Sequence, residues 1–252
     1  MSRPHDTTVI RPAPRHASTR SLICLGFCGG GTAPYRPWAS FLDERTQLTL
    51  ICYPGREGRF SEPYAQAWEE LTRDAMAAVL SAADKPYILF GHSMGGWMAF
   101  DVATTIEREG GPLPEALVVS SCNAPSRGLT DRDRFPALED SDDALLTWME
   151  TIGLLPAHVR SDAFLLEMAY ELMRADIRVR DSYRYTPGAQ TSVPVQVLWG
   201  RNDAVIEPAI AEQWRQVCRR AFRCDSLPGG HFYTPDIWRS LPERMDALRG
   251  SQ

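Results

Sequence analysis

The chain has 252 residues, 44% of them hydrophobic, and a formal net charge of −5 at pH 7. This content is enough for one sizeable core, so we expect one domain with an insertion rather than two domains. The negative charge and the absence of a long basic run argue against binding to nucleic acid or to an anionic membrane surface. The sequence also lacks an apolar stretch of the roughly 18 residues that a membrane span requires.

The first twenty residues are polar and rich in proline, without the apolar segment of a secretory signal. We expect residues 1–20 to be a disordered leader and residues 21–252 to form the domain. The six cysteines show neither a C-x-x-C pair nor a metal-like spacing to histidine, which predicts reduced, mostly buried thiols, no metal site and a cytoplasmic location. These residues are Cys24, Cys28, Cys52, Cys122, Cys218 and Cys224.

Apolar runs of strand length alternate along the chain with segments of helical periodicity. The runs are nearly continuous in apolar residues, as in strands buried on both faces. This order predicts an α/β fold with a mostly parallel sheet between helices. The predicted strands are 21–27, 48–53, 86–90, 116–122 and 193–199, and the predicted helices are 64–82, 95–109 and 207–221.

Residues 125–187 depart from this alternation, because they contain helical patterns at 142–152 and 161–182 but no convincing strand. An apolar stripe in the second pattern is compatible with an ordinary core helix or with the inner face of a lid. A helical insertion above the carboxyl ends of the strands would cover the place where such sheets bind ligands. The stripe consists of Leu165, Met168, Leu172 and Met173.

The segment "PYILFGHSMGGWMAF" at 86–100 places Ser93 between a predicted strand and a predicted helix. G-x-S-x-G in this context is typical of a nucleophilic serine on a tight turn. Gly91 and Gly95 stand where side chains would crowd such a turn, and Gly96 lets the helix approach the sheet. The alternative is that Ser93 only caps the helix.

A nucleophilic serine needs a base and an acid that orients the base, each placed after a later strand. Asp203 in "VLWGRNDAVI" and His231 in "LPGGHFYTPD" have these positions. His92 is a competing base, although neighbours on a turn point apart. Other histidines and aspartates are expected to be solvated, on the surface or at helix caps. They are His5, His16, His158, Asp176, Asp181, Asp225 and Asp236.

The glycine-rich segment "FCGGGTAP" at 27–34 follows the first predicted strand. A phosphate-binding loop is disfavoured, since the segment lacks G-K-S/T and the helix context of G-x-G-x-x-G. Such a loop is instead suited to supply a backbone N–H to an oxyanion, together with the N–H of Met94 directly after the serine.

Several segments of the chain, between about residues 21 and 248, resemble the type II thioesterases that accompany polyketide and nonribosomal peptide synthetases. The similar segments are "GHSMGGWMAFDVA", "CYPGREGRFSEP", "GGHFY" and "LMRADIRVRDSYRY". The resemblance implies an α/β-hydrolase fold, a Ser93–His231–Asp203 triad and oxyanion donors at Gly29 and Met94. The first loop departs from the family pattern, with Cys28 and Gly29 in place of a proline and a histidine.

By this resemblance the substrate is an acyl thioester on the phosphopantetheine arm of a carrier protein, and the enzyme needs no cofactor of its own. Its implied role is to clear stalled or misprimed carriers. A small-molecule carboxylesterase, an acyltransferase or cyclase, and a non-catalytic partner of a synthetase are the alternatives. Four arginines are candidates for carrier docking, or for a solvated helix face: Arg174, Arg178, Arg180 and Arg184.

Overall fold

A seven-stranded sheet forms the centre of the molecule, with strand order β1-β3-β2-β4-β5-β6-β7. The structure is a computed structural model that describes residues 7–134, 136–151 and 155–249. Strand β1 is antiparallel to β3, and every other neighbouring pair is parallel. The strands are β1 Val9–Ile10, β2 Arg20–Leu25, β3 Thr46–Ile51, β4 Tyr87–His92, β5 Ala116–Ser120, β6 Val195–Gly200 and β7 Phe222–Leu227.

Helices cover both faces of this sheet. The α-helices are α1 Trp68–Ala82, α2 Met94–Arg108, α3 Asp142–Thr151, α4 Ala157–Arg160, α5 Ala163–Asp181, α6 Ile210–Gln216 and α7 Pro235–Arg239. A 3₁₀ helix at Ala33–Phe41 precedes β3. Within the described part of the chain, no helix is both long enough and apolar enough to span a membrane.

The central strand β4 shows why the apolar runs are continuous rather than alternating. Tyr87 and Leu89 pack into the core on the face of α1 and α2. Ile88 and Phe90 point the other way, into the core that contains residues of the 3₁₀ helix and the C-terminal segment. Successive side chains of a strand point to opposite faces, so both faces need apolar residues here. The predicted mostly parallel sheet between helices is thereby confirmed.

The expected disordered leader is wrong for the part of it that the structure describes. Val9 and Ile10 pair with Ile51 and Leu50 and extend the sheet at its edge. Arg15 donates from its guanidinium to the carbonyls of Ala39 at 2.7 Å and Leu42 at 3.0 Å. Proline-rich composition did not reveal these contacts, because each joins the segment to distant parts of the chain. Residues 1–6, with His5, lie outside the described residues.

The helical insertion between β5 and β6 is present and consists of α3, α4 and α5. Its two longer helices match the predicted patterns, apart from residue 152, which lies outside the described residues. Within the apolar stripe, Met173 is completely buried, whereas Leu165 and Met168 are half-buried. The stripe therefore packs against the body of the protein most closely at its C-terminal end.

The chain reverses its direction of travel across the sheet at β2 and β4. From β2 it proceeds to β3 on one side, then returns through α1 to β4 on the other side. The loops that leave the carboxyl ends of two such strands diverge and open a crevice between them. Here those loops are the glycine-rich segment after β2 and the turn that contains Ser93.

Candidate active site

Ser93 lies on a sharp turn between β4 and α2, with φ of 54° and ψ of −126°. A residue with a side chain rarely adopts this conformation, which persists only when the surroundings enforce it. The Ser93 N–H donates to the Ser120 carbonyl at 2.8 Å, and its own carbonyl accepts from the Gly96 N–H at 2.8 Å. The turn thus lifts the hydroxyl above the sheet, at the end of the strand.

The glycines around Ser93 are required by close backbone contacts. A Cβ atom on Gly91 would lie 1.8 Å from the carbonyl oxygen of Gly95. A Cβ atom on Gly95 would lie 2.5 Å from the carbonyl oxygen of Gly26. Gly26 precedes the glycine-rich segment, so the absence of a side chain at Gly95 lets the serine turn and that segment approach each other.

Asp203 and His231 are brought together from the ends of β6 and β7. His231 Nδ1 lies 2.9 Å from Asp203 Oδ2, and the other carboxylate oxygen accepts from the Val205 N–H at 3.0 Å. The Asp203 side chain is 1% exposed and that of His231 is 9% exposed. A buried carboxylate in this position holds the imidazole in one orientation, with Nδ1 protonated and Nε2 free to accept a proton.

Backbone contacts fix the loops of the acid and the base to each other. The Asn202 N–H donates to the Gly229 carbonyl at 2.9 Å. A Cβ atom on Gly200 would lie 2.1 Å from the Gly230 carbonyl oxygen, so the end of β6 needs a glycine there. The spacing of Asp203 and His231 is therefore set by backbone as well as by their own hydrogen bond.

His92, the competing base, belongs to a buried polar chain instead. Its Nδ1 is 2.9 Å from Ser120 Oγ, which in turn is 2.6 Å from the Tyr233 hydroxyl. Its ring packs against that of Phe232, with centroids 4.5 Å apart. Burial lowers the pKa of His92 well below its ordinary value, which keeps the ring neutral. These contacts indicate a structural role.

Ser93 and His231 line the same small cavity, of about 50 Å³, beneath the helical insertion. Among the described residues, no hydrogen bond joins the two side chains, and such bonds are often longer before substrate binds. Trp97 of α2 and Trp148 of α3 form apolar walls, and Cys28 lies beside the serine turn. A cleft of about 580 Å³ beside α1 and α2 is larger, but no residue of the proposed triad lines it.

The amide predicted as the second oxyanion donor is already paired. The Gly29 N–H donates to Asp176 Oδ2 at 2.8 Å, and Gly29 is absent from the described lining of the cavity. Cys28 and Met94 do line it, and neither backbone N–H has an acceptor among the described residues. The Gly29 N–H is therefore not free to act as predicted, and the role of Met94 stays a prediction. The pattern of side chains along the sequence could not show which of the neighbouring backbone amides in this loop is free to donate.

One further expectation about a charged residue is wrong, while carrier docking by the four arginines stays a prediction. Asp176 is neither on the surface nor at a cap, because it is 2% exposed and pairs with the guanidinium of Arg56. Two of the candidate docking arginines make contacts inside the insertion. Arg174 donates to the Leu138 carbonyl at 2.6 Å, and the buried Arg180 donates to the Pro136 carbonyl at 2.8 Å. The other two, Arg178 and Arg184, are exposed.

The cysteines are unpaired and mostly buried, as expected. All six thiols are free, and five are buried while Cys224 is half-buried. Burial raises the pKa of Cys28 to about 12, so this thiol stays protonated beside the serine. Within the described ranges, no group of three or more histidine, cysteine or acidic side chains is arranged to hold a metal ion.

Comparison with known proteins places this geometry among thioesterases. A family model for the thioesterase domain matches residues 20–243. The solved structure of the type II thioesterase BorB, from the borrelidin biosynthetic cluster, is 33% identical with a TM-score of 0.81. The match covers 98% of this chain and 96% of that one, and it confirms the predicted α/β-hydrolase fold with a helical insertion.

Two curated relatives extend the comparison to biosynthetic proteins. The AMB antimetabolite synthetase AmbE of Pseudomonas aeruginosa is 32% identical over 83% of this chain. The probable cadicidin biosynthesis thioesterase of Streptomyces griseus is 28% identical over 93% of this chain. The matched segment is 10% of AmbE and 62% of the cadicidin protein, so this chain spans less than two thirds of either relative.

Proposed function

Because the chain belongs to the thioesterase domain family, we propose that it is a serine hydrolase that cleaves acyl thioesters from the phosphopantetheine arm of carrier proteins. Its role would be editing, the removal of stalled or wrong acyl groups in polyketide or nonribosomal peptide biosynthesis. The names of BorB and of the cadicidin thioesterase support this assignment. The observation that carries it is the buried Asp203–His231 pair at the cavity that contains Ser93.

In the proposed mechanism, Ser93 Oγ attacks the thioester carbonyl carbon while His231 Nε2 takes the hydroxyl proton. Asp203 accepts a hydrogen bond from the Nδ1–H of the resulting imidazolium and stabilises its positive charge. The carbonyl oxygen becomes an anion in this step. The N–H groups of Cys28 and Met94, which point to no other acceptor among the described residues, are the donors we assign to it.

Collapse of the tetrahedral adduct breaks the carbon–sulfur bond and leaves an acyl group on Ser93. The departing thiolate takes the proton from His231, and a free thiol has a pKa near 8.5, so protonation assists this step less than in amide cleavage. Water then attacks the acyl-serine, with His231 as the base. The products are the carboxylic acid, the carrier thiol and the free serine, so the reaction uses no cofactor of the enzyme. We propose that it takes place in the cytoplasm.

The rival functions share parts of this chemistry. A carboxylesterase would use the same three side chains on a free oxyester, and an acyltransferase or cyclase would pass the acyl group to an amine or alcohol. A non-catalytic partner of a synthetase would have no need for a buried acid that orients a histidine beside a serine. The acyl donor therefore distinguishes a carboxylesterase, the acyl acceptor distinguishes an acyltransferase or cyclase, and a lack of catalysis distinguishes a non-catalytic partner.

Replacement of the nucleophile tests the proposal directly. A carrier protein loaded with acetyl-phosphopantetheine is incubated with the wild type or with Ser93→Ala, and its intact mass is followed over time. We expect serine-dependent loss of the acetyl mass, with at least about a thousandfold lower rate in the variant. A free oxyester at equal concentration is the control substrate. Ester cleavage with the carrier left loaded would contradict the proposed substrate, and an active Ser93→Ala variant would contradict the nucleophile.

A further inference from the structure

A buried ion pair connects the helical insertion to the loop after β3. Arg56 Nη2 lies 2.6 Å from Asp176 Oδ1, and Arg56 Nη1 lies 2.9 Å from Asp176 Oδ2. Arg56 is 6% exposed and Asp176, on α5, is 2% exposed. Removing two charges from water is costly, and an apolar pair of similar size often gives equal stability. A contribution to folding stability alone therefore does not explain why the buried pair of Arg56 and Asp176 is charged.

Both partners of this ion pair also bind the glycine-rich segment directly. Asp176 Oδ2 accepts from the Gly29 N–H at 2.8 Å, and Arg56 Nη1 donates to the Gly30 carbonyl at 2.8 Å. These contacts hold the peptide group that precedes Gly29 and the peptide group that follows Gly30. Gly29 itself has φ of 72°, and the side chain of Met173 occupies the space where its Cβ would be.

A run of three glycines has no side chains with which to fix its own conformation. The peptide group that carries the Cys28 N–H is held through Gly30, because the Gly30 N–H donates to the Phe27 carbonyl at 2.9 Å. Its orientation therefore depends on what holds Gly29 and Gly30. A misdirected donor in an oxyanion hole loses most of its effect, since the hydrogen bond must reach the position where charge develops. The external contacts of the glycines thus bear on catalysis as well as on folding.

We infer that Asp176 and Arg56 are positioning residues that aim the Cys28 N–H at the oxyanion, and that α5 thereby completes the catalytic site. Arg56 has a second effect in this arrangement. The carboxylate of Asp176 alone, so close to the loop, would disfavour a negative charge on the substrate, and the guanidinium neutralises it. This inference rests on the proposed function, because it concerns the same thioester hydrolysis.

The test compares Asp176→Asn with a matched control in the same loop region. Arg59 makes the equivalent bidentate contact with Asp74 on α1, at 2.7 and 2.8 Å, and also donates to a backbone carbonyl, that of Cys52. Neither residue contacts the glycine segment in the described structure. Asp74→Asn therefore removes a similar ion pair without touching the oxyanion donors.

For Asp176→Asn we expect kcat on acetyl-carrier to fall about tenfold or more, with KM within roughly twofold of the wild-type value. The Ki of a trifluoromethyl ketone, which forms an anionic adduct with Ser93, should rise by the same factor as kcat falls. In Asp74→Asn both quantities should stay within roughly twofold of wild type. Rates are referred to active sites titrated with a fluorophosphonate, so that a partly folded preparation does not mimic a catalytic loss.

Arg56→Lys is the second variant and decides the matter where Asp176→Asn folds poorly. Lysine keeps the charge but lacks the planar fork that binds both carboxylate oxygens and the Gly30 carbonyl together. We expect a smaller loss of kcat than in Asp176→Asn, again with a parallel rise in Ki. Wild-type kcat and Ki in either folded variant would overturn the inference, as would an equal loss in Asp74→Asn. Failure of the wild type itself to cleave acetyl-carrier would instead overturn the proposed function.

Discussion

At the scale of single residues, the site depends on backbone positions that only glycine can occupy. Ser93 adopts a positive φ because Gly91 and Gly95 let the chain fold back on itself and onto the neighbouring strand. This requirement is local, and the G-x-S-x-G pattern therefore predicted the position of the serine. The strained backbone conformation of Ser93 itself persists because the surrounding structure packs closely around the turn.

Gly95→Ala tests this dependence. Its Cβ would meet the backbone carbonyls of Gly26 at 2.5 Å and Leu25 at 2.9 Å, which cannot move without displacing β2. We expect the melting temperature to fall by several degrees and kcat/KM to fall more than about tenfold. Gly128→Ala is the control, since nothing lies within 4 Å of its Cβ and only its φ of 70° opposes the change. Unchanged kcat/KM in Gly95→Ala would contradict the steric argument.

At the scale of elements, the contact between α1 and α2 contains a carboxyl group that is hard to ionise. Asp101 of α2 accepts from Trp68 Nε1 of α1 at 2.7 Å. Burial raises the pKa of Asp101 from 3.8 to about 6, in spite of that hydrogen bond. The folded protein thus binds the proton of Asp101 more tightly than the unfolded chain does. The contribution of this proton to the free energy of unfolding is lost as the pH rises from about 4 to above 6.

Asp101→Asn should consequently stabilise the protein above pH 6. An asparagine still accepts the Trp68 hydrogen bond but carries no charge at any pH. We expect the melting temperature of the variant to exceed that of the wild type by a few degrees at pH 7.5 and the difference to disappear near pH 4. The corresponding gain in the free energy of unfolding is about 3 kcal/mol at most. Asp143→Asn, at an exposed position of α3, is the control. A difference that grows toward low pH would refute the assignment.

At the scale of the whole molecule, the insertion closes the site from above and limits its volume. The cavity at Ser93 measures about 50 Å³, and Trp97 and Trp148 form part of its wall. One water-sized group needs about 10–15 Å³ by this measure, so the space suits an acyl group of only a few heavy atoms. The two tryptophans are far apart in sequence, because Trp97 belongs to α2 and Trp148 to the insertion.

We expect acetyl- and propionyl-carriers to be hydrolysed more than about tenfold faster than an octanoyl-carrier. Trp148→Ala should enlarge the cavity and raise the octanoyl rate relative to the acetyl rate. Phe164→Ala provides the matched control, because this aromatic residue of the insertion is 72% exposed. Steady-state rates with the three carriers measure the preference. Equal rates for all chain lengths in the wild type would show that the cavity does not select.

The sequence by itself determined the features that depend on local pattern. Alternating strands and helices, the helical insertion, the serine turn and the placement of Asp203 and His231 after later strands were all predicted, because periodicity and glycine spacing are visible within a short window. The structure places Asp203 and His231 in contact, and the catalytic roles of these residues stay a proposal that the Ser93→Ala experiment begins to test.

Only the tertiary structure decided the features that join distant residues. Val9–Ile10 became an edge strand through pairing with β3, and Asp176 became buried through a partner 120 positions away. The same pairing occupied the Gly29 amide, whereas Cys28 lines the cavity and its amide has no acceptor among the described residues. The direction of a backbone N–H and the partner of a buried charge depend on which segments pack together, and neither is encoded in the spacing of residues along one segment.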